Sequence, residues 1–247
     1  MIEVITAAVA IGVGILIGAS GVGGVLLISF LALFGGLSIH QASATSLFSF
    51  AFTGLLGTWL FQRKGSINWR LAIPVCVGAT VSSYLGVIVA AATNARTLTL
   101  VVGALIVASG VNLLVPRQPK PPRSHELDAR TGLSLLAVGA ASGFGSGVSG
   151  AGGPVFSVPI MMAMRYSALA AIGISQVLQV ISAAFGSAGN LQRGLIDWKL
   201  AAWVTVFQLA GLAWGAKLAH SVDERWLKLL AGILCVTAGA LLIIRAW

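Results

Sequence analysis

Two short segments carry the residues best suited to hold a ligand. They are Gly18-Ala19-Ser20-Gly21-Val22-Gly23-Gly24 and Gly147-Val148-Ser149-Gly150-Ala151-Gly152-Gly153-Pro154. Both lie inside long apolar stretches, where a helix is the expected backbone. Each glycine in a helix interior costs about 1 kcal/mol relative to Ala, so three close together should open the helix. Pro154 fits the first turn of a restarting helix, where its missing N–H is no loss. A helix that restarts inside a bilayer presents unpaired N–H groups and a partial positive charge. That arrangement can hold an anion without a lysine or arginine. Close helix packing is the competing reading, because small residues also let backbones approach.

A second set of polar residues lies farther along the apolar runs. Ser46 falls among Thr45 and Ser49, and Ser175 stands beside Gln176 and Gln179, spaced i, i+3. Amides in hydrocarbon need partners and should point into the bundle. There they can bond other helices or help hold an oxyanion. His40 reads as an interfacial histidine. The candidate anion ligands are therefore Ser20, Gly21, Val22, Gly23, Gly24, Ser46, Ser149, Gly150, Ala151, Gly152, Gly153, Ser175, Gln176 and Gln179.

Several chemistries are excluded. All six acids (Glu3, Glu126, Asp128, Asp197, Asp223 and Glu224) fall in termini or loops, leaving no carboxylate for a proton relay at mid-membrane. No phosphate loop of the G-x-x-x-x-G-K-[ST] type occurs, which excludes ATP-driven pumping by this chain alone. Gly145 to Gly150 matches G-x-G-x-x-G but lacks the strand and the following acid of a dinucleotide site. Cys76 and Cys235 sit in apolar runs as small hydrophobes. No nucleophile–base pair or metal-ligand cluster is evident, so neither an enzyme nor a cofactor is expected.

The elements that must position these residues follow from charge placement. Only 9% of the chain is charged, against about 25% in a soluble domain. From Val4 to Gln62 no Asp, Glu, Lys or Arg occurs, and further charge-free runs cover 71–95, 97–116, 131–164, 166–192, 200–216 and 229–244. About 20 apolar residues cross the hydrocarbon core, so the chain reads as an all-α polytopic membrane protein. The net charge of +9 resides in loops, where basic residues set orientation. Nucleic acid is not an expected partner. The lipid bilayer and a small anion are.

Sliding the chain against itself by 129 residues aligns two halves without a gap. Gly14, Gly18, Ser20, Gly21, Gly23 and Gly24 fall on Gly143, Gly147, Ser149, Gly150, Gly152 and Gly153. The stretch Gly65-Ser66-Ile67-Asn68-Trp69-Arg70 falls on Gly194-Leu195-Ile196-Asp197-Trp198-Lys199. The organisation is thus a first transmembrane repeat over 1–115, a linker over 116–130 rich in Pro and basic residues, and a second repeat over 131–247. The linker's Lys and Arg place it on the cytoplasmic side. Each half has four apolar units: 4–36, 42–62, 70–92 and 97–115, then 131–164, 169–190, 199–219 and 227–244. The first unit of each half is too long for one span and too short for two with a turn. It is either one helix broken at the glycines or a re-entrant hairpin of two short helices, followed by three transmembrane helices. A re-entrant unit makes the two tandem repeats inverted, the arrangement favoured here because transporters often pair inverted halves with interrupted helices.

The paired Gly-rich segments, the following S-x-Q/S-x-L helix and the G-x-I-[ND]-W-[RK]-x-A loops resemble the sulfite exporter TauE/SafE family, also called toluene sulfonate uptake permeases (TSUP). The resemblance spans residues 5–245. It implies a transporter in the bacterial cytoplasmic membrane for sulfite, organosulfonates or related sulfur anions, with the two glycine loops and their serines as the site. Val25 stands where Pro154 stands in the second half, so the loops are not expected to be equivalent. Transport by alternating access around the paired loops is the leading expectation. An anion channel and a structural or sensor subunit are the competing ones.

Overall fold

A computed structural model describes residues 2–21, 23–115 and 129–219, and farther on residues 229, 232–233, 236–237 and 239–244. Val22, Cys235 and the linker residues 116–128 lie outside the described residues. So does much of the expected last helix, although its described positions are helical. Ala129 and Arg130, placed in the linker from the sequence, already belong to a helix.

Among the described residues every regular element is a helix. Its elements are α1 (Ile2–Ser20), α2 (Gly24–Leu33), α3 (Ile39–Arg63), α4 (Trp69–Ala92), α5 (Ala95–Leu114), α6 (Ala129–Ser149), α7 (Pro154–Ala163), α8 (Ala168–Leu191) and α9 (Trp198–Leu218). Six of them are long and apolar enough to cross a membrane: α1, α3, α4, α5, α6 and α8. Large apolar side chains point outward along α4 at Ile73, Val77, Val81, Leu85 and Ile88. A face this apolar would be unstable in water and suits lipid.

Helix starts are written locally. Ser38 caps α3 through a capping box with Gln41, and Ser167 accepts from the Ala170 N–H to cap α8. Asn68 and Asp197 cap α4 and α9 in the same way. Both pairs are 129 residues apart. The Asn/Asp of the G-x-I-[ND]-W loops is therefore a helix cap, and its Ile (Ile67 or Ile196) is a buried anchor.

Packing follows the same spacing. α1 runs alongside α9, where Gly14 lies against the Gln208 carbonyl and Gly18 against Leu212 and Ala216. α6 runs alongside α4, where Gly143 lies against Ala79 and Ser83 and Gly147 against Ser83 and Val87. A shift of 129 turns the first set of contacts into the second. A Cβ on any of these four glycines would strike the facing helix. For them the close-packing reading holds. In contrast, α3 and α8 cross antiparallel, with Leu47 against Gly186, Phe50 against Gln179 and Gly57 against Gln176. Gly103 on α5 likewise meets Gly239, and Gly110 meets Gly232.

The first apolar unit of each half proves to be a long arm and a short one, α1 with α2 and α6 with α7. The sequence reading of two short helices thus holds only for the second arm. The Trp203 indole N–H reaches the Glu3 carbonyl (3.4 Å), and the Asp197 N–H donates to Thr45 Oγ1 (3.1 Å). The starts of α1, α3 and α9 therefore share one end of the bundle. Since α6 runs with α4 and α8 runs against α3, the starts of α6 and α8 share the other end, where α5 finishes. Each long–short pair thus begins and ends at the same end.

Candidate functional site

The helices break where the glycines predict. Gly21 and Gly150 both leave their helices in the left-handed region, at φ 72° and 71°, a conformation that disfavours any side chain. Their N–H groups close the last turns onto the carbonyls of Ile17 (2.9 Å) and Ser146 (2.7 Å). Beyond them the loops diverge. Gly152 is again left-handed (φ 81°), whereas its counterpart Gly23 is extended (φ −174°). This matches the inequivalence that Val25 and Pro154 led us to expect.

The two breaks meet. A Cβ on Gly24 would touch the Ala151 carbonyl of the other loop and the Phe50 ring, and one on Gly152 would touch Phe50 and Gln179. The Gln179 amide donates to the Phe50 carbonyl (3.1 Å) and to Thr53 Oγ1 (2.8 Å). Phe50 and Gln179 are themselves 129 residues apart. α2 and α7 start at this junction, and neither receives a side-chain cap. No described residue accepts from the N–H groups of Gly23, Gly24 and Val25, or from those of Gly152, Gly153 and Val155. Buried donors without partners are rare and call for a ligand, an ion or water.

The described polar side chains predicted for the site are buried but do different things. Ser20 Oγ donates to its own helix at the Leu16 carbonyl (2.9 Å), and Ser149 Oγ to the Gly145 carbonyl (2.6 Å). Each hydroxyl has one proton, so neither can donate to an anion in this arrangement. Ser149 Oγ instead accepts from the Ala151 N–H (3.1 Å) and shapes the loop. Ser175 Oγ pairs with Ser157 Oγ (2.6 Å). Its counterpart Ser46 is fully buried with an unpartnered hydroxyl, and the position matching Ser157 is Ile28. Gln176 Nε2 donates to the Ile17 carbonyl (3.3 Å) at the end of α1, while its Oε1 lacks a partner. Gln176 and Gln179 thus point inward as expected, and both bond other helices. Val22 lies outside the described residues.

The sequence reading missed Thr53, Ser157 and Ser182. Thr53 and Ser182 are again 129 apart, and Ser182 stands one turn beyond Gln179 with its hydroxyl near Gly153. The signal was present: Ser46, Phe50 and Thr53, and Ser175, Gln179 and Ser182, each follow the i, i+4, i+7 spacing of one helix face. Among the described residues no cluster of His, Cys, Asp or Glu could hold a metal ion. The junction is a neutral set of amides and hydroxyls.

The comparisons with known proteins agree on class. The "Probable membrane transporter protein YdhB" of Bacillus subtilis (strain 168) is 27% identical over 236 residues, covering 93% of this chain and 96% of that one. A "Probable membrane transporter protein" of Xylella fastidiosa (strain 9a5c) is 26% identical over 241 residues, covering 95% and 92%. "Probable membrane transporter protein YunE" of Bacillus subtilis (strain 168) is 22% identical over 269 residues, covering 98% and 97%. No solved structure matches the chain at a significant level. The pattern of the family described as sulfite exporter TauE/SafE matches residues 6–242. With helix breaks, apolar spans and relatives all in accord, this chain is a multi-pass membrane transporter and belongs to the sulfite exporter TauE/SafE family.

Proposed function

We propose that the protein is a secondary carrier or facilitator for a small sulfur-containing oxyanion, such as sulfite or an organosulfonate, in the bacterial cytoplasmic membrane. One observation carries this reading: two uncapped helix starts meet, with six N–H groups that no described residue accepts. Such a site stabilises an anion by backbone dipoles, each helix end contributing about 0.3–1 kcal/mol and up to ~2 kcal/mol when partly buried. The Ser46 hydroxyl, buried and unpartnered one turn from Phe50 on the same face of α3, offers a side-chain donor.

The halves act as inverted repeats that exchange access by rocking about the junction. Three features support this: α3 and α8 cross antiparallel at equivalent residues, each long–short unit returns to its starting end, and the α1–α9 and α4–α6 seams interchange under the 129-residue shift. In this reading α1 with α2 and α6 with α7 are re-entrant. The end where α5 finishes faces the cytoplasm, because the basic linker follows it.

Reconstitution into liposomes tests the reading, using radiolabelled sulfite, an alkanesulfonate and a neutral analogue. The carrier predicts saturable uptake of the anions and none of the neutral compound. Unsaturable flux would instead indicate a channel, and absence of any flux a non-transporting subunit.

A further inference from the structure

Away from the junction, a narrow cleft opens at the end of the bundle opposite the linker and reaches the second glycine loop. Its walls include His40 and Ser43 from the start of α3, Asn190 from the end of α8, and the backbone of Gly147 and Gly150. Its free volume is about 10 Å³, room for roughly one water. Two of its polar side chains are committed to the protein. Ser43 Oγ donates to the Ser149 carbonyl (3.0 Å), and His40 Nε2 sits 3.1 Å from the Thr93 carbonyl and 3.3 Å from that of Ala90 at the end of α4. Asn190 differs. It is only 7% exposed, and its side-chain amide bonds no described residue. A largely buried amide with two donors and no protein partner is free to bond whatever occupies the cleft, water or anion.

The same cleft does not recur at the other end. The 129-residue shift carries His40, Ser43 and Asn190 onto Leu169, Ile172 and Phe61. There Ile172 lies directly against Gly21, as Ser43 lies against Gly150, and both Ile172 and Phe61 are buried. The two approaches to the junction thus differ in chemistry. One carries hydrogen-bonding groups at these three positions, the other alkyl and aromatic side chains, with Leu169 exposed at the rim of a groove that also holds Ser66, Asn68 and Arg70. A dehydrating oxyanion needs donors along its way, and an apolar wall offers none.

We propose that this cleft is the mouth through which the oxyanion passes to and from the Gly150 loop on the side opposite the linker, and that the Asn190 amide is its first ligand there. The inference rests on the transport reading above and adds a binding position outside the junction. At about 10 Å³ the mouth admits water but not an oxyanion, so it must widen for each passage. The Ser43–Ser149 and His40–Thr93 contacts are the ones that part.

Two measurements test it. In a background with Cys76 and Cys235 replaced by Ala, Asn190→Cys is exposed to a membrane-impermeant, negatively charged thiosulfonate reagent from either side of sealed vesicles. A Ser124→Cys reporter marks the linker side. The proposal expects Asn190→Cys to react only from the side opposite the reporter. No reaction from that side overturns it. Secondly, Asn190→Asp places a like charge at the mouth and should lower anion uptake about tenfold or more, whereas Asn190→Gln keeps the donors and most of the rate. Wild-type uptake in a well-inserted Asn190→Asp protein also overturns the proposal while leaving the carrier reading intact. If the unmodified protein takes up no anion, it is the carrier reading that fails.

Discussion

At the scale of single residues, donors that are free and donors already committed are the main distinction. Ser20 and Ser149 were legible as site residues because serines flank glycines in both loops, yet each bonds its own helix. No spacing rule reveals which carbonyl a hydroxyl will choose. Ser46 is the converse case: Ile28 stands where its counterpart Ser175 finds Ser157, and its hydroxyl remains unpartnered. If Ser46 donates to the anion, Ser46→Ala removes a bond to a charged group worth about 1.5–3 kcal/mol. The apparent KM for sulfite uptake should then rise about tenfold or more, with insertion unchanged. An unaltered KM would remove Ser46 from the site. Gly152→Ala tests backbone geometry: at φ 81° a Cβ costs about 1–2 kcal/mol, so the apparent melting temperature in detergent should fall. Gly132→Ala lies within α6 and meets nothing within 4 Å, so it should not lower it.

Among elements, the glycines separate into two jobs that a sequence pattern merges. Gly14, Gly18, Gly143 and Gly147 let α1 approach α9 and α6 approach α4, while Gly21, Gly150 and Gly152 turn the chain. Gly18→Leu or Gly147→Leu should therefore lower stability, by about 1–3 kcal/mol from overpacking. Thermal unfolding in detergent would show this, and unchanged melting would contradict the tight seams. The caps allow a gentler check. Asn68→Ala and Asp197→Ala should each cost about 1 kcal/mol, a drop of about 2–4 °C for a chain of this size. Helix existence was readable because hydrocarbon tolerates no other open backbone. The long-arm, short-arm division was not, because nothing in an apolar run marks how deep a re-entrant turn reaches. The mouth at Asn190 was equally hidden: its lining joins the starts of α3 and α5 to the end of α8, which only tertiary packing brings together.

For the molecule as a whole, the junction's neutrality makes a demand on its cargo. Moving an ion out of water costs in proportion to the square of its charge, and amide and hydroxyl dipoles offset a single charge far better than two. Monoanions should be carried in preference to dianions. Sulfite gains its second charge as pH rises through neutrality, so uptake per total sulfite should fall across that range. An alkanesulfonate, singly charged throughout, should show a flat profile; equal transport of sulfate would contradict this. If the helix breaks are where the anion rests, Gly152→Leu is the sharpest probe of them. The variant would drive a side chain toward Phe50 and Gln179 at the meeting point of the loops. Uptake of radiolabelled sulfite into liposomes carrying this variant, folded and inserted as well as the wild type, should fall to background. Uptake at the wild-type rate would show that the anion crosses elsewhere.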